Sequence, residues 1–325
     1  MSFLLGVNLT PVRPFAHPHQ NWIKLASMDA PLSNGTSYYH QGVLDTDGIL
    51  YLASWRHMEP SEGVYDFANL LQSLNYAASH GKKIIIRVFY KNYYGSTKPL
   101  PSYITNNPTT YGGTGTTGGL RINTFGATCY TPRFDNAALT VRFKALITAM
   151  AAAVGSHSAL QGVSPDESAW SLGGLWNAYA AEGLTAAQVR LSHREKCLHF
   201  QSCFPTKEVY PFYNYCDGSN TAETIAELNW SLGQGMLAGI SDTHRLPEMI
   251  SGIQPVITAY PMPVKTLQCV DLLSYGADDS GLTERMLKNA RETARYGADI
   301  TCWHAEGGVS SNFWAAAKNA MALIG

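Results

Sequence analysis

Apolar, β-branched runs alternate along the chain with amphipathic segments. The run KIIIRVF at residues 83–89 has the continuous apolar character of a strand that is buried on both faces. Residues 136–154 carry apolar side chains at helical spacing, which predicts a helix with one buried face. The predicted inner face of this helix consists of Leu139, Phe143, Leu146, Ile147 and Met150. Strands that alternate with helices indicate βα units around a parallel sheet.

Eight strands can be placed in chain order. The predicted strands occupy residues 4–8, 49–54, 83–89, 159–164, 209–215, 236–241, 263–269 and 299–304, with 256–260 as a competing choice for the seventh. The predicted helices occupy residues 70–80, 136–154, 185–204 (with Thr185 as N-cap), 222–232, 282–296 and 312–324. This order predicts a single (β/α)8 TIM barrel, an α/β fold that spans residues 1–325 without a linker or a repeat.

The alternation breaks after the third strand, at residues 90–133, which are dense in Gly, Thr, Pro, Tyr and Asn. A connection of this length in a compact domain is usually functional or disordered. Its hydroxyls, amides and aromatic rings suit one wall of a binding cleft, built around a small hairpin. A surface loop without a binding role is the alternative.

The composition narrows the classes of partner. Lys+Arg 23 against Asp+Glu 24 gives a formal net charge of -1, so we expect no nucleic acid and no membrane as partner. Charged residues make up only 14% of the chain, while Gly, Thr, Ser, Asn and Tyr fill the polar positions. Such a surface suits neutral polyols such as sugars. It also occurs in virion and secreted proteins.

Signals for metals and cofactors are weak. The six cysteines form no CxxC pair, and the histidines form no HxxxH or HxH unit with a carboxylate at ligand spacing. No GxGxxG follows a strand, and no P-loop or GxSxG elbow is present. We therefore expect no cofactor, no catalytic metal and no disulfide framework. The first residues lack a signal-peptide pattern, so we expect a cytoplasmic location or export without a signal, for instance in a virion.

Two adjacent carboxylates, Asp166 and Glu167, follow the fourth strand, and Trp170 comes soon after them. A barrel enzyme carries its polar catalytic groups at the carboxyl ends of its strands. A carboxylic acid beside a flat aromatic ring suits sugar chemistry, in which one acid protonates the glycosidic oxygen. A surface loop with a helix cap is the alternative interpretation, because Asp and Ser are common N-caps.

The phrase WRHMEPSEGVYDF at 55–67, followed by GKKIIIR at 81–87, resembles the second and third βα units of clan A glycoside hydrolases. The likeness is strongest to the β-galactosidase-like and cellulase-like branches. PLPSYI at 99–104 is similar to the P-x-W-L of those enzymes, and residues 160–170 are similar to their fourth strand. The resemblance implies a retaining glycosidase that cleaves O-glycosidic bonds of an oligo- or polysaccharide with carboxylates on strands four and seven.

Carried over to this sequence, the resemblance makes Glu167 the general acid/base, although these enzymes have Asn where this chain has Asp166. On the seventh strand, Gln268 stands where the family has its nucleophilic Glu, and an amide cannot form the glycosyl-enzyme bond. Glu306, just after the eighth strand, is the nearest remaining carboxylate. Three explanations stay open: Glu306 replaces the nucleophile, the seventh strand lies elsewhere, or the barrel has lost hydrolysis. An inverting mechanism would instead use Asp242 as a more distant base.

Other residues at strand ends are candidates for substrate contacts. Arg56 and Arg87 can bind a carboxylate or form structural ion pairs. Five aromatic residues can stack on sugar rings or belong to the core, and we expect three of them to face the cleft. The predicted substrate contacts are Trp55, Arg56, Arg87, Tyr90, Asp166, Trp170, Tyr213, Asn214, Asp242, His244, Gln268, Trp303 and His304. If hydrolysis is lost, the alternative function is a non-catalytic glycan-binding barrel, as a virion or surface component.

Overall fold

The structure is a computed structural model that describes residues 20–25, 44–92, 97–114, 117–125, 127–168, 184–213, 221–241, 266–270, 299–305, 315, 317–319 and 321–322. Within these residues, eight parallel strands form one sheet. The strands are β1 (Gln20–Leu25), β2 (Gly48–Ser54), β3 (Lys83–Phe89), β4 (Leu160–Ser164), β5 in two pieces (Glu208–Val209 and Phe212–Tyr213), β6 (Ala238–Ser241), β7 (Thr266–Val270) and β8 (Ile300–Ala305).

The sheet closes on itself through β5. Its strand order is β5, β6, β7, β8, β1, β2, β3, β4 and again β5, with parallel pairing throughout. On one side the Tyr210 N–H donates to the Val163 carbonyl oxygen at 2.9 Å, and on the other the Leu237 N–H donates to the Val209 carbonyl oxygen at 2.9 Å. Eight parallel strands joined in a ring confirm the predicted (β/α)8 barrel. The assignment of residues 1–325 to one domain stays a prediction.

The first strand lies later in the chain than the sequence pattern predicts. The predicted strand at 4–8 lies outside the described residues, and β1 pairs with β8 on one side and β2 on the other. Its Trp22 is fully buried and packs on Gly48, where a Cβ would come within 2.5 Å of the indole ring. Polar residues occupy three of the six positions of β1 (QNWIKL), so no continuous apolar run reveals it.

The other strands lie within a few residues of their predicted positions, and β7 confirms the choice of 263–269 over 256–260. The helices named below are α1 (Trp55–Met58), α2 (Ala68–Ser79), α3 (Ser102–Thr105), α4 (Pro108–Tyr111), α5 (Ala137–Val154), α6 (Ala186–Cys203) and α7 (Thr221–Gly233). The predicted N-cap is confirmed, because Thr185 and Gln188 form a capping box at the start of α6. The predicted helix at 282–296 lies outside the described residues, and residues 315, 317–319 and 321 of the predicted last helix are helical.

Helix α5 packs as predicted, with Leu139, Phe143, Leu146, Ile147 and Met150 all fully buried in the core. By length and composition alone, α5 could also cross a membrane. Its buried inner face instead makes it an ordinary outer helix of the barrel, with its polar Arg142 and Lys144 forming ion pairs to Glu59 and Glu195.

The long connection after β3 forms structure of its own. It contains α3, α4 and an antiparallel hairpin of Leu120–Phe125 with Ala127–Pro132, which confirms the predicted hairpin. Leu100, Ile104 and Leu120 are buried against the main core. Packing of this kind shows that much of the connection is a fixed part of the barrel. Its role as a cleft wall stays a prediction.

The phrase that carries the family resemblance owes part of its pattern to packing. Glu59 is fully buried, accepts a hydrogen bond from the Trp55 indole N–H at 2.9 Å and one from the Gly63 N–H at 3.1 Å, and forms an ion pair with Arg142. Gly63 has φ 73°, a left-handed conformation that favours glycine. The W-x-x-x-E-P-x-x-G spacing therefore places one carboxylate where it ties the loop after β2 to helix α5.

Candidate active site

The candidate site lies at the carboxyl end of β4, where Asp166 and Glu167 follow the strand. The Arg87 side chain, on β3, donates to Asp166 Oδ1 from Nε at 3.0 Å and from Nη2 at 2.6 Å. The guanidinium also stacks on the Phe212 ring of β5, with 4.3 Å from its carbon to the ring centroid. One arginine thus joins the ends of three neighbouring strands.

Asp166 is saturated with hydrogen bonds. Its Oδ2 accepts from the backbone N–H groups of Tyr90 at 3.2 Å and Lys91 at 3.0 Å, and its Oδ1 also accepts from the Glu167 N–H at 3.0 Å. The side chain is only 1% exposed. A buried carboxylate with an arginine and three amides as donors is a fixed anchor, because removing any donor would leave a buried charge unsatisfied. This placement corrects the expectation that Asp166 contacts sugar.

Glu167 occupies a different position although it is the next residue. Its side chain is 11% exposed, and its Oε1 lies 3.5 Å from Arg87 Nη2. Its backbone is held on both sides, because its N–H donates to Asp166 Oδ1 and its carbonyl oxygen accepts from Lys91 Nζ. The Ser168 N–H then donates to the Phe212 carbonyl oxygen at 2.9 Å. The chain on both sides of the Glu167 carboxylate is therefore fixed by hydrogen bonds.

Four of the five aromatic residues proposed to stack on sugar are described, and all four are fully buried: Trp55, Tyr90, Tyr213 and Trp303. The Trp303 indole N–H donates to Asn21 Oδ1 at 3.1 Å, and the Tyr213 hydroxyl donates to the Glu227 carbonyl oxygen at 3.0 Å. The expectation that three of the five face an open cleft is therefore wrong for these four. Large rings at strand ends are used here as core packing.

The remaining predicted residues fall into two groups. Arg56 is half-buried on α1, and Gln268 lies in the middle of β7, opposite Ile240 and Thr301 in the register of the sheet. Of Gln268 and His304 the structure describes the backbone alone, and the residues that lie outside the described part of the chain are Trp170, Asn214, Asp242, His244 and Glu306. Their roles stay predictions. Among the described residues, no cluster of three or more His, Cys, Asp or Glu side chains could hold a metal.

Sequence reasoning missed a polar cluster beside Glu167, on the inner face of α6. Val189, His193, Lys196 and Phe200 recur at helical spacing and are all buried. Val189, His193 and Lys196, together with Tyr90 and Lys91, line a small cavity of about 20 Å³ next to Ser168. The signal was present in the sequence, since His193 and Lys196 interrupt the apolar face of a helix at positions that must point inward. Polar residues at such positions indicate a buried network.

Burial sets the charge of these groups. Burial, followed by the nearby charges of Lys196 and Lys91, holds the pKa of His193 well below its usual value, so its imidazole is neutral at pH 7. Burial and the Lys91 charge lower the pKa of Lys196 to about 7. The pKa of Lys91 is also lowered by burial, although the carboxylates of Asp166 and Glu167 oppose that shift. The region behind Glu167 is therefore weakly cationic near neutral pH.

Comparison with known proteins adds the fold family. No protein-family model and no curated protein sequence matches this chain. Among solved structures, a xylanase 10C mutant from Cellvibrio japonicus in complex with xylopentaose superposes with a TM-score of 0.55 and 11% identity, over 96% of this chain and 68% of that one. The catalytic domain of β-amylase from Paenibacillus polymyxa superposes with a TM-score of 0.66 and 9% identity, over 94% of this chain and 98% of that one. Endo-glycoceramidase II from Rhodococcus sp., as a lactosyl-enzyme intermediate, superposes with a TM-score of 0.57 and 13% identity, over 92% of this chain and 76% of that one.

The fold shared with these structures is the (β/α)8 barrel. All three proteins are (β/α)8 barrels that act on glycosidic bonds, which agrees with the clan A resemblance of the sequence. A shared fold does not fix the chemistry, which depends on the side chains placed at its strand ends. In this barrel, the described end of β4 presents the Glu167 carboxylate, 11% exposed, on a fixed frame.

Proposed function

We propose that this chain hydrolyses O-glycosidic bonds of an oligo- or polysaccharide, with Glu167 as the general acid/base. One observation carries the proposal. Glu167 stands at the carboxyl end of β4 with its backbone fixed on both sides, while the neighbouring Asp166 is consumed as an anchor. A general acid must be held in one place against the glycosidic oxygen, and a rigid frame around a partly exposed carboxylate meets that requirement.

The second carboxylate has three candidates, all outside the described residues: Asp242, the distant base of an inverting mechanism, and two residues that directly follow strands. Glu306 comes directly after β8, which ends at Ala305. Asp271 comes directly after β7, which ends at Val270, and so it follows the strand on which the related enzymes carry their nucleophile. Substitution of each by its amide distinguishes them, because loss of the nucleophile or base abolishes turnover. Product stereochemistry by NMR then separates retention, which needs a nucleophile, from inversion, which needs a base.

A non-catalytic glycan-binding barrel is the second candidate function. One observation favours it: β7 reads TLQCV, so the strand itself carries an amide at Gln268 and no carboxylate. A barrel that keeps a positioned Glu167 but lacks a second carboxylate would bind a sugar without cleaving it.

The test is a screen of the wild type and Glu167→Gln for new reducing ends. The panel holds xylan, starch, β-mannan and a lactosyl lipid, the sugar classes that the structural neighbours name. Glu195→Gln is the matched control, because Glu195 lies on α6 with a side chain 51% exposed, and its solvent-exposed ion pair with Lys144 contributes little to stability.

We expect the wild type to cleave at least one substrate and Glu167→Gln to lose at least ~100-fold, the effect of removing a general acid. Glu195→Gln should keep the wild-type rate. Binding of a glycan without cleavage by the wild type would reject the hydrolase and support the binding barrel. Equal rates in wild type and Glu167→Gln would reject the role of Glu167.

A further inference from the structure

The cavity behind the candidate acid contains two buried polar atoms that have no hydrogen-bond partner in the structure. They are the Tyr90 hydroxyl oxygen and His193 Nε2. Tyr90 is fully buried and His193 is 7% exposed. Both residues line the same cavity of about 20 Å³, together with Lys91 and Lys196. Unsatisfied buried polar groups are rare in proteins, so two on residues that line one cavity need an explanation, such as a bound ligand.

The described lining of this cavity offers donors and positive charge. A phenol hydroxyl donates, a neutral imidazole can carry its proton on Nε2, and the two lysines bring ammonium groups. Lys196 Nζ donates to the Ser192 carbonyl oxygen at 2.7 Å and to the Ser192 hydroxyl at 2.9 Å. It also lies 4.2 Å from the centroid of the Phe134 ring. The described lining is thus complementary to an acceptor that carries negative charge.

The carboxylate of this lining is already neutralised. Glu227 accepts three hydrogen bonds from the Arg194 guanidinium, at 2.7 to 3.2 Å, and its Oε1 lies 3.6 Å from Arg190 Nε. It has no charge left over for Lys196. After burial, the positive charge of the nearby Lys91 ammonium is the next cause of the lowered pKa of Lys196.

The small volume of the cavity favours a small anion. A volume of about 20 Å³ holds one species of about the size of a water molecule. A monatomic anion fits, and it accepts hydrogen bonds from any direction.

We propose that this cavity binds a single halide ion, chloride in the cell, between the Tyr90 hydroxyl and His193 Nε2 and beside the ammonium groups of Lys91 and Lys196. Because Lys91 Nζ donates to the Glu167 carbonyl oxygen, the ion lies one residue behind the candidate acid. The site is independent of the proposed hydrolysis, since its evidence is the lining of the cavity alone.

Halide binding depends on pH through Lys196. Above about pH 7 the Lys196 ammonium loses its proton in the folded chain, so the affinity for the halide falls by up to about tenfold per pH unit. His193 stays neutral near pH 7, since its pKa is held well below its usual value. The charged and titratable groups around Lys196 are Lys91, Glu167, Arg190, His193, Glu195, Cys197 and Glu227.

Thermal unfolding of the full chain, without any sugar, tests the proposal. The wild type is measured in sodium chloride and in sodium gluconate at equal ionic strength, at a pH of about 6, where the proposed site is protonated. We expect chloride at roughly 100 times its Kd to raise the Tm by about 3 °C, and the shift to shrink at a pH of about 8.5. Bromide soaked into crystals should give one anomalous peak within hydrogen-bond distance of Tyr90 and His193.

Two variants remove the proposed ligands. Tyr90→Phe keeps the ring packing against Phe134 and Phe143 and removes only the unpartnered hydroxyl, so its fold should survive. Lys196→Met removes one ammonium at similar volume, and Lys98→Met, at a half-buried lysine outside the cavity lining, is the control. We expect the chloride shift to fall at least fivefold in Tyr90→Phe and Lys196→Met and to persist in Lys98→Met.

Several outcomes would overturn the proposal. Equal Tm in chloride and gluconate, with no bromide peak in the cavity, would mean that water fills it. A chloride shift that persists in Tyr90→Phe would place the ion elsewhere. Neither result would touch the proposed hydrolysis, because no substrate is present, and a sugar screen without cleavage would leave the halide site intact.

Discussion

Two buried polar clusters meet at the end of β4, and they differ in how well their charges are satisfied. Asp166 is surrounded by the Arg87 guanidinium and three backbone amides. In the cavity beside it, Tyr90 and His193 each keep a polar atom without a partner. A satisfied cluster holds the backbone in one geometry, whereas an unsatisfied one loses stability until a ligand arrives. The Asp166 cluster therefore holds the site in place, whereas the cavity beside it is suited to binding a ligand.

The largest effect on stability is expected from breaking the satisfied cluster. Asp166→Ala removes the closer carboxylate of buried Arg87 and the acceptor of three backbone N–H groups, so we expect a loss of about 3–5 kcal/mol in the free energy of unfolding. Glu195→Ala breaks the exposed Lys144–Glu195 pair and should cost less than about 1 kcal/mol. Urea unfolding monitored by circular dichroism measures both. A loss below about 1 kcal/mol in Asp166→Ala would show that the cluster is not an anchor.

In the unsatisfied cluster, we expect a substitution to raise the free energy of unfolding instead of lowering it. Lys196→Met removes a buried ammonium whose pKa is lowered to about 7, so in a buffer without halide we expect the free energy of unfolding to rise by about 1–3 kcal/mol. Urea unfolding in sodium gluconate is the measurement. A destabilised Lys196→Met would mean that the ammonium is satisfied by its bonds to Ser192 and its contact with Phe134.

The pH dependence of stability sharpens the same contrast. Because the pKa of Lys196 is about 7 in the folded chain and near 10.5 in the unfolded one, the unfolded chain binds more protons between these values. Stability should therefore rise from pH 7 towards 10.5, by at most about 1.4 kcal/mol per pH unit for one proton. Lys91, whose pKa is also lowered, acts in the same direction. Lys196→Met should show a much smaller rise in urea unfolding at a series of pH values, and an unchanged rise would contradict this assignment.

The smallest effect is expected for Tyr90→Phe. The hydroxyl makes no hydrogen bond, so without halide its removal should change the free energy of unfolding by less than about 1 kcal/mol, and towards higher stability. Comparison with Tyr130→Phe, at a buried tyrosine of the hairpin, controls for the general effect of losing a phenol oxygen. A loss above about 1 kcal/mol in Tyr90→Phe would show that its hydroxyl has a partner.

Much of the fold is readable from the sequence, because the barrel repeats one pattern. Strands β2, β3 and β8 are apolar runs, and Leu139 to Met150 mark the inner face of α5. Strand β1 escapes the pattern because Gln20, Asn21 and Lys24 interrupt it. Its place in the barrel depends on pairing with β8 across the whole length of the chain, and no local signal records such pairing.

Only part of the candidate site can be predicted from the sequence. A carboxylate after a strand points to the barrel mouth, and Glu167 fits that rule. The same rule fails for Trp55 and Trp303, because a ring at a strand end can turn into the core as easily as into a cleft. It also fails for Asp166, since only tertiary structure shows that Arg87 and the amides of Tyr90 and Lys91 consume its oxygens.

The dependence of catalysis on the leaving group tests the role of Glu167 most directly. A general acid matters for a natural glycoside, whose leaving oxygen must be protonated, and matters little for an activated aryl glycoside. We predict that Glu167→Gln lowers kcat/KM by ~10²–10⁴-fold on the natural glycoside but by less than about tenfold on a dinitrophenyl glycoside of the same sugar. Equal losses on both substrates would contradict the assignment of Glu167 as the acid of a frame built by Asp166 and Arg87.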